Sequence, residues 1–158
     1  MKMFAPDFQI DRVTAIDIAF LKKNQIEALI LDVDNTLTTH GNPEPGEGVV
    51  EWIDSMHEAG IPMMIVSNNS KARVAPFAKR LGLPFVSRGW KPLTVGITKA
   101  CASFGLPPER VAMVGDQLLT DILGGNWKGM KTILTKPIQL EDGPFFRLKR
   151  RIEGKLMD

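Results

Sequence analysis

Short apolar runs alternate with longer stretches whose apolar residues recur every three or four positions, and this alternation organises the chain. The runs 28–33, 62–67, 84–87, 110–115 and 131–135 are rich in Ile, Val, Leu or Met and predict five buried β-strands. Between them, 46–59, 71–81, 92–104 and 119–128 carry helical spacing, marked in the first by Val50, Ile53 and Met56 with His57. Gly60, Gly82, Gly105 and Gly129 follow these stretches, where a left-handed residue closes a helix. Strands separated by helices predict an α/β fold with a mainly parallel sheet. In such sheets ligands bind beyond the carboxyl ends of the strands, so the residues just after each strand carry the functional information.

At 158 residues the chain fits one domain, 1–158, with 1–24 as an N-terminal extension and 144–158 as a basic C-terminal helix. No apolar run approaches the roughly 20 residues that span a bilayer. The first residues lack an apolar segment long enough for a secretory signal, which predicts a cytoplasmic protein or one in an organelle interior. Cys101, the single cysteine, falls in a helical stretch and reads as a small buried apolar residue. A formal charge of +2 gives no ground for a nucleic-acid partner, and none is expected.

The strand ends carry polar groups suited to phosphoryl transfer. Asp32 and Asp34 follow the first strand, Ser67, Asn68 and Asn69 the second, and Asp116 with Asp121 the fourth, while Lys91 comes a few residues after the third. A phosphate monoester is dianionic and repels a carboxylate, so catalysis requires positioning and charge neutralisation, and a divalent ion is needed. Magnesium takes hard oxygen ligands, and Asp32 and Asp116 are the side chains expected to hold it. Asp32 is then the nucleophile, giving an aspartyl phosphate that water hydrolyses. Asp34, two residues on, is expected to protonate the leaving oxygen and later to take a proton from water. Crowding of the carboxylates should raise the pKa of one of them. Ser67 and Lys91 supply a hydroxyl and a point charge for the nonbridging oxygens. Thr36 and Asn35 order the turn that carries both aspartates, and Asp121 holds a metal-bound water or the loop.

The order Asp32-Val33-Asp34-Asn35-Thr36, Ser67-Asn68-Asn69, Lys91-Pro92, then Gly115-Asp116 with Asp121 resembles the haloacid dehalogenase-like (HAD) phosphohydrolases. More narrowly, Leu31 to Leu37, Val66 to Asn69, Thr120 to Asn126 and Thr132 to Leu134 leading to Pro137-Ile138 resemble subfamily IIIA, the YqeG and phosphatidylglycerophosphate-phosphatase-like group. The resemblance implies a capless, Rossmann-like three-layer sandwich with a five-stranded sheet, in which the strand of Asp32 lies beside the strand of Asp116. It also implies catalytic roles for Asp32, Asp34, Ser67 and Lys91, and magnesium ligation by Asp32, the backbone carbonyl of Asp34 and Asp116. Thr36, Asn68 and Asn69 are the substrate-binding positions that go with it. Trp90, next to Lys91, departs from the smaller residues expected there and either shapes the pocket or covers the sheet.

Between Thr36 and Ser67, and between Asn69 and Lys91, there is no room for an inserted lid domain. An open site predicts a bulky or macromolecular phosphorylated substrate, with phosphatidylglycerophosphate as the candidate that the resemblance offers. His40 reads as a solvated loop residue and His57 as structural. In the tail, Phe145, Leu148, Ile152 and Leu156 fall on one side of a helix and Arg147, Lys149, Arg150, Arg151 and Lys155 on the rest. Such a helix either lies on anionic lipid, giving peripheral membrane contact, or packs on the sheet with a solvated basic face. Two other functions share the motifs: a weakly catalytic binding or assembly protein, and a phosphotransferase. Dehalogenation would leave Asp34 and the metal ligands without a task. Nothing in the sequence fixes an oligomeric state.

Overall fold

A computed structural model of the chain describes residues 2–138, 151–152 and 154–155. Among the described residues six strands form one sheet: β1 (Phe8–Ile10), β2 (Ala28–Leu31), β3 (Met63–Val66), β4 (Phe85–Val86), β5 (Val111–Gly115) and β6 (Lys131–Thr135). Their spatial order is β1-β6-β5-β2-β3-β4, and every pairing is parallel. The five strands read from the sequence are all present, in register Leu29 with Met63 and Ala112 across the centre. The sixth, β1, comes from the stretch set apart as an N-terminal extension and pairs Phe8 with Ile133 at the sheet edge. Side chains of Asp7 and Thr132 tie that edge, with the Asp7 amide donating to Thr132 Oγ1 at 3.0 Å and the Thr132 amide to Asp7 Oδ2 at 3.0 Å.

The helices are α1 (Ile18–Lys23), α2 (Val49–Glu58), α3 (Lys71–Leu81), α4 (Val95–Phe104) and α5 (Leu123–Lys128). Successive strand residues face opposite ways, which splits the apolar set into two layers. Leu29, Leu31, Ile65 and Val114 pack with Leu21 of α1, Ile53 and Met56 of α2, and Phe77 of α3. Ala28, Ile30, Met64 and Met113 pack on the other face with Ile97, Ala100 and Cys101 of α4. Burying a side chain such as Phe77, 1% exposed, contributes about 1.5–3 kcal/mol. Cys101 is 4% exposed and burial pushes its thiol pKa up, as expected of an inert core residue.

Two helices start later than their spacing predicts. In α2 the buried face is Val49, Trp52, Ile53 and Met56, whereas Val50 is 44% exposed and does not belong to it. Gly48, at φ 76°, turns the chain just before this helix and fixes where the face begins. α4 starts at Val95 rather than at Pro92, because the Leu93 amide closes a turn on the Trp90 carbonyl at 2.8 Å. Only α2 separates the loop after β2 from β3, and α3 with β4 lies between β3 and Lys91. No helix among the described residues is long and apolar enough to cross a membrane. Most of the expected C-terminal helix lies outside the described residues; Arg151, Ile152, Gly154 and Lys155 are helical.

Candidate active site

The central strands β2 and β5 bring their carboxyl ends together, and the Asp32 amide extends the pairing by donating to the Val114 carbonyl at 3.0 Å. Beyond Val33 the chain coils tightly: the Thr36 and Leu37 amides both donate to the Val33 carbonyl, at 3.1 and 2.9 Å, with Asn35 at φ 61°. After β5, one turn of π-helix at Leu118–Ile122 leads into α5 and carries Asp121 back over the strand end. A Cβ on Gly115 would fall 2.1 Å from Asp121 Oδ2, so glycine there is a condition of this approach. Gly115→Ala is expected to displace Asp121, lower phosphate release about tenfold and cost about 1–3 kcal/mol in a thermal melt. An alanine variant that melts and turns over like the wild type would refute this dependence.

Two groups of side chains result. In the first, Lys91 Nζ donates to Asp32 Oδ1 at 3.0 Å and to Asp121 Oδ1 at 2.6 Å. Asp116 joins them, because one carboxylate oxygen from each of Asp32, Asp116 and Asp121 lies within 4.8 Å of the others. Asp121 also accepts from the Gln117 amide at 3.3 Å, so it does hold the loop, but as part of the carboxylate cluster. In the second group, Asp34 Oδ1 accepts from the Gly41 amide at 2.7 Å and from Arg73 Nη2 at 2.9 Å, and Oδ2 accepts from Asn69 Nδ2 at 2.7 Å.

Ser67, 2% exposed, links the parts: its hydroxyl accepts from the Asn69 amide at 3.1 Å. Asn68 clamps Lys91 by its backbone, accepting from the Lys91 amide at 2.7 Å and donating to the Lys91 carbonyl at 2.9 Å. Both asparagines therefore hold catalytic candidates, a use their spacing did not announce. Thr36 is buried and lines a separate cavity of about 150 Å³ with Val13, Val49 and Ile138. Trp90 is 67% exposed and does not cover the sheet; with Asn68, Asn69, Ser70, Arg88 and Lys91 it lines a cavity of about 450 Å³.

Electrostatics separates the aspartates. Burial, reinforced by Asp121, pushes Asp32 up to about 6 against the pull of Lys91. Burial also raises Asp121, with Lys91 opposing and Asp116 adding to the rise. Burial would lower Lys91, but Asp121 and Asp32 outweigh it and hold the ammonium well above the usual lysine range. Asp34 goes the other way: burial pushes it up, yet the hydrogen bonds from Arg73 and the Gly41 amide win and keep it below the usual carboxylate range. Burial first and crowding second thus raise Asp32 and Asp121, not the carboxyl expected to act as the acid.

Sequence reasoning missed Arg73. A cation in the first turn of a helix opposes the helix dipole, so Lys71 and Arg73 at the start of α3 were a signal that an acidic partner was near. Phe77, one turn on, supports the guanidinium from 5.4 Å.

The donor chemistry of the first group fits a hard divalent cation. Three carboxylates converge beside Lys91, an oxygen-rich donor set of the kind such an ion takes.

The fold agrees with comparisons to known proteins. The family model of haloacid dehalogenase-like hydrolases matches residues 42–127, and that of mitochondrial PGP phosphatase matches residues 1–78. The chain belongs to the haloacid dehalogenase-like hydrolases and is one of the family's phosphatases. Within the family it falls in the YqeG and phosphatidylglycerophosphate-phosphatase-like group. It is 37% identical to the probable phosphatase YqeG of Bacillus subtilis over 99% of this chain and 91% of that one. It is 30% identical to phosphatidylglycerophosphate phosphatase 1 of the Chlamydomonas reinhardtii chloroplast, over 94% of this chain and 57% of that protein's length. The fold is also that of the p-nitrophenyl phosphatase from Archaeoglobus fulgidus, at a TM-score of 0.56 and 16% identity over 82% of this chain and 93% of that one.

Proposed function

We propose that this single-domain chain is a magnesium-dependent phosphate monoester hydrolase that works through an aspartyl phosphate on Asp32, with an open site suited to a bulky substrate. The buried cluster of Asp32, Lys91, Asp116 and Asp121 at the ends of β2 and β5 carries this reading. Magnesium, held by Asp32, Asp116 and the Asp34 carbonyl, would supply positive charge against the dianionic ester.

Asp32 attacks phosphorus and forms the acyl phosphate, and Lys91, kept cationic by Asp32 and Asp121, offsets charge on the nonbridging oxygens. Ser67 donates its hydroxyl to one of those oxygens, and Asn68 fixes Lys91 for its part. Asp34, ionised in the free site, takes up a proton as the ester binds, delivers it to the leaving oxygen and then draws one from the hydrolytic water. Asn69 orients that carboxyl. Asp34→Asn is expected to slow esters with poor leaving groups by about a hundredfold or more, and activated aryl phosphates much less. Equal losses across a leaving-group series would remove Asp34 from the proton step.

Bulk is favoured because no inserted lid separates the strand ends from solvent and because two cavities flank the cluster. One is the 450 Å³ cavity at Lys91; the other, about 300 Å³, adjoins Asp116 and is lined by Ile10, Leu118, Leu134 and Pro137. With no lid, binding energy must come from parts of the substrate beyond the phosphate. Phosphatidylglycerophosphate meets that demand and is what the matched relatives' names point to. The reading includes a cytoplasmic setting, at or near a membrane surface. A magnesium-dependent phosphate-release screen over phosphorylated lipids, peptides and nucleotides tests it. Release from small soluble phosphates at rates equal to the lipids would defeat the claim of bulk.

A further inference from the structure

Residues 59–108 contain no aspartate or glutamate but seven lysines and arginines, although the whole chain is only +2. This stretch supplies β3, α3, β4 and α4; Arg73, Arg80 and Lys91 pair with Asp34, with Glu44, and with Asp32 and Asp121, so its positive excess rests on Lys71, Lys79, Arg88 and Lys99. All four of these are exposed.

From that stretch one loop projects beside Lys91. Trp90, Leu93 and Val95 are 67%, 57% and 58% exposed. The loop is nevertheless firmly tied. The Gly89 amide donates to the Ser67 carbonyl at 2.8 Å, the Arg88 amide to the Asn69 carbonyl at 2.9 Å, and Asn68 holds Lys91 on both backbone sides. A Cβ on Gly96 would come within 2.9 Å of Gly89 Cα, so α4 rides directly on the loop's base. Arg88 and Trp90 sit at φ 47° and 59°, a left-handed conformation unfavourable for bulky side chains. Surrounding bonds must over-determine such residues, and they gather at functional sites. Here they hold an indole outward in water, where it adds nothing to the core.

We propose that Trp90, Leu93 and Val95, with Arg88 and Lys99 beside them, form a docking tip for an anionic membrane surface. The exposed cations Lys71, Arg88 and Lys99 select an anion. The three apolar side chains select a surface with hydrocarbon beneath it over nucleic acid, and an indole settles at headgroup level. Val95 and Lys99, one turn apart on α4, present an apolar and a cationic group on the same helix face. Trp90 and Arg88 also line the cavity that contains Lys91, so docking brings the mouth of the site to the headgroups. The tip stands on the loop and its charge; its benefit to catalysis rests on the phosphatase mechanism proposed above.

Sedimentation of the full chain with vesicles of phosphatidylglycerol and phosphatidylcholine, against phosphatidylcholine alone, tests the docking. The informative variant is Leu93→Glu with Val95→Glu: both positions are exposed, and a carboxylate suits the first residue of α4. The wild type is expected to bind the anionic vesicles and release as salt rises, and the double variant to partition about tenfold less or weaker. Hydrolysis of a soluble aryl phosphate should not change in that variant. Brominated acyl chains should quench wild-type emission, and the quenching should vanish in Trp90→Phe. A wild type that ignores the vesicles, or a double variant that binds as well as wild type, overturns the proposal. So does binding that survives in the double variant yet disappears when Arg147, Lys149, Arg150 and Arg151 become glutamine, or a preference for RNA over vesicles that the double substitution leaves intact. Failure of the wild type to hydrolyse the aryl ester would strike the catalytic mechanism and leave the docking result standing.

Discussion

Asp32→Asn is expected to lower phosphate release by about a thousandfold or more while leaving the fold intact. Neither Asp34 nor Asp121 can take over: Asp34 is engaged by Gly41, Asn69 and Arg73, and Asp121 is fully buried against Lys91. The substitution should also separate activity from stability. Asp32 titrates near 6 in the folded protein against 3.8 for an ordinary carboxyl. Between those values the unfolded chain loses its proton first, so ionisation at Asp32 takes stability away as pH rises and the deficit is complete above about pH 6. An asparagine has no such deficit. In metal-free buffer the variant should therefore melt at or above the wild-type temperature at pH 7, with the difference closing below pH 4. Wild-type turnover in the variant would remove Asp32 as nucleophile; a melting point well below wild type at pH 7 would contradict the electrostatic account.

Chelation is the other change of large effect. Removing divalent metal should abolish phosphate release, magnesium should restore it, and calcium should not, because its larger and looser coordination suits a different cavity. The buried carboxylates explain the severity: without a divalent cation, Lys91 is already bonded to Asp32 and Asp121 and cannot also neutralise a dianionic ester. The same charge imbalance predicts that magnesium raises the melting temperature, since it binds the folded cluster and not the unfolded chain. Full activity in excess chelator would eliminate the metal from the mechanism.

Most of the fold was legible because its central strands are buried on both faces and read as unbroken apolar runs. The edges were less so. β1 has three residues with a single alternation, Phe8-Gln9-Ile10, too short for periodicity to register, and its pairing with β6 depends on a partner far along the chain. β4 was expected over 84–87 and keeps only Phe85 and Val86, both half-buried, as befits an edge. In the site, residues drawn together by strand order were predictable, because parallel sheets gather their carboxyl ends. Holding contacts were not. Nothing in the sequence says that Asn68 spans to the backbone of Lys91, or that Arg73 reaches Asp34 across 39 positions. Such contacts depend on side-chain direction after the backbone is laid, and periodicity carries no record of that.

The pairing of β1 with β6 bears on the order in which the molecule can form. Asp7 and Thr132 bond across 125 positions, so a strand made early in synthesis has no neighbour in the sheet until β6 is made. β2, β3 and β4 can pair as they emerge, but β5 must insert on the opposite side of β2 before β6 and then β1 can follow. Assembly of that flank is therefore delayed until nearly all of the described chain is available. The carboxylate cluster, which needs the end of β5, matures in the same late phase, after the Ser67 loop and the tip around Trp90 already exist.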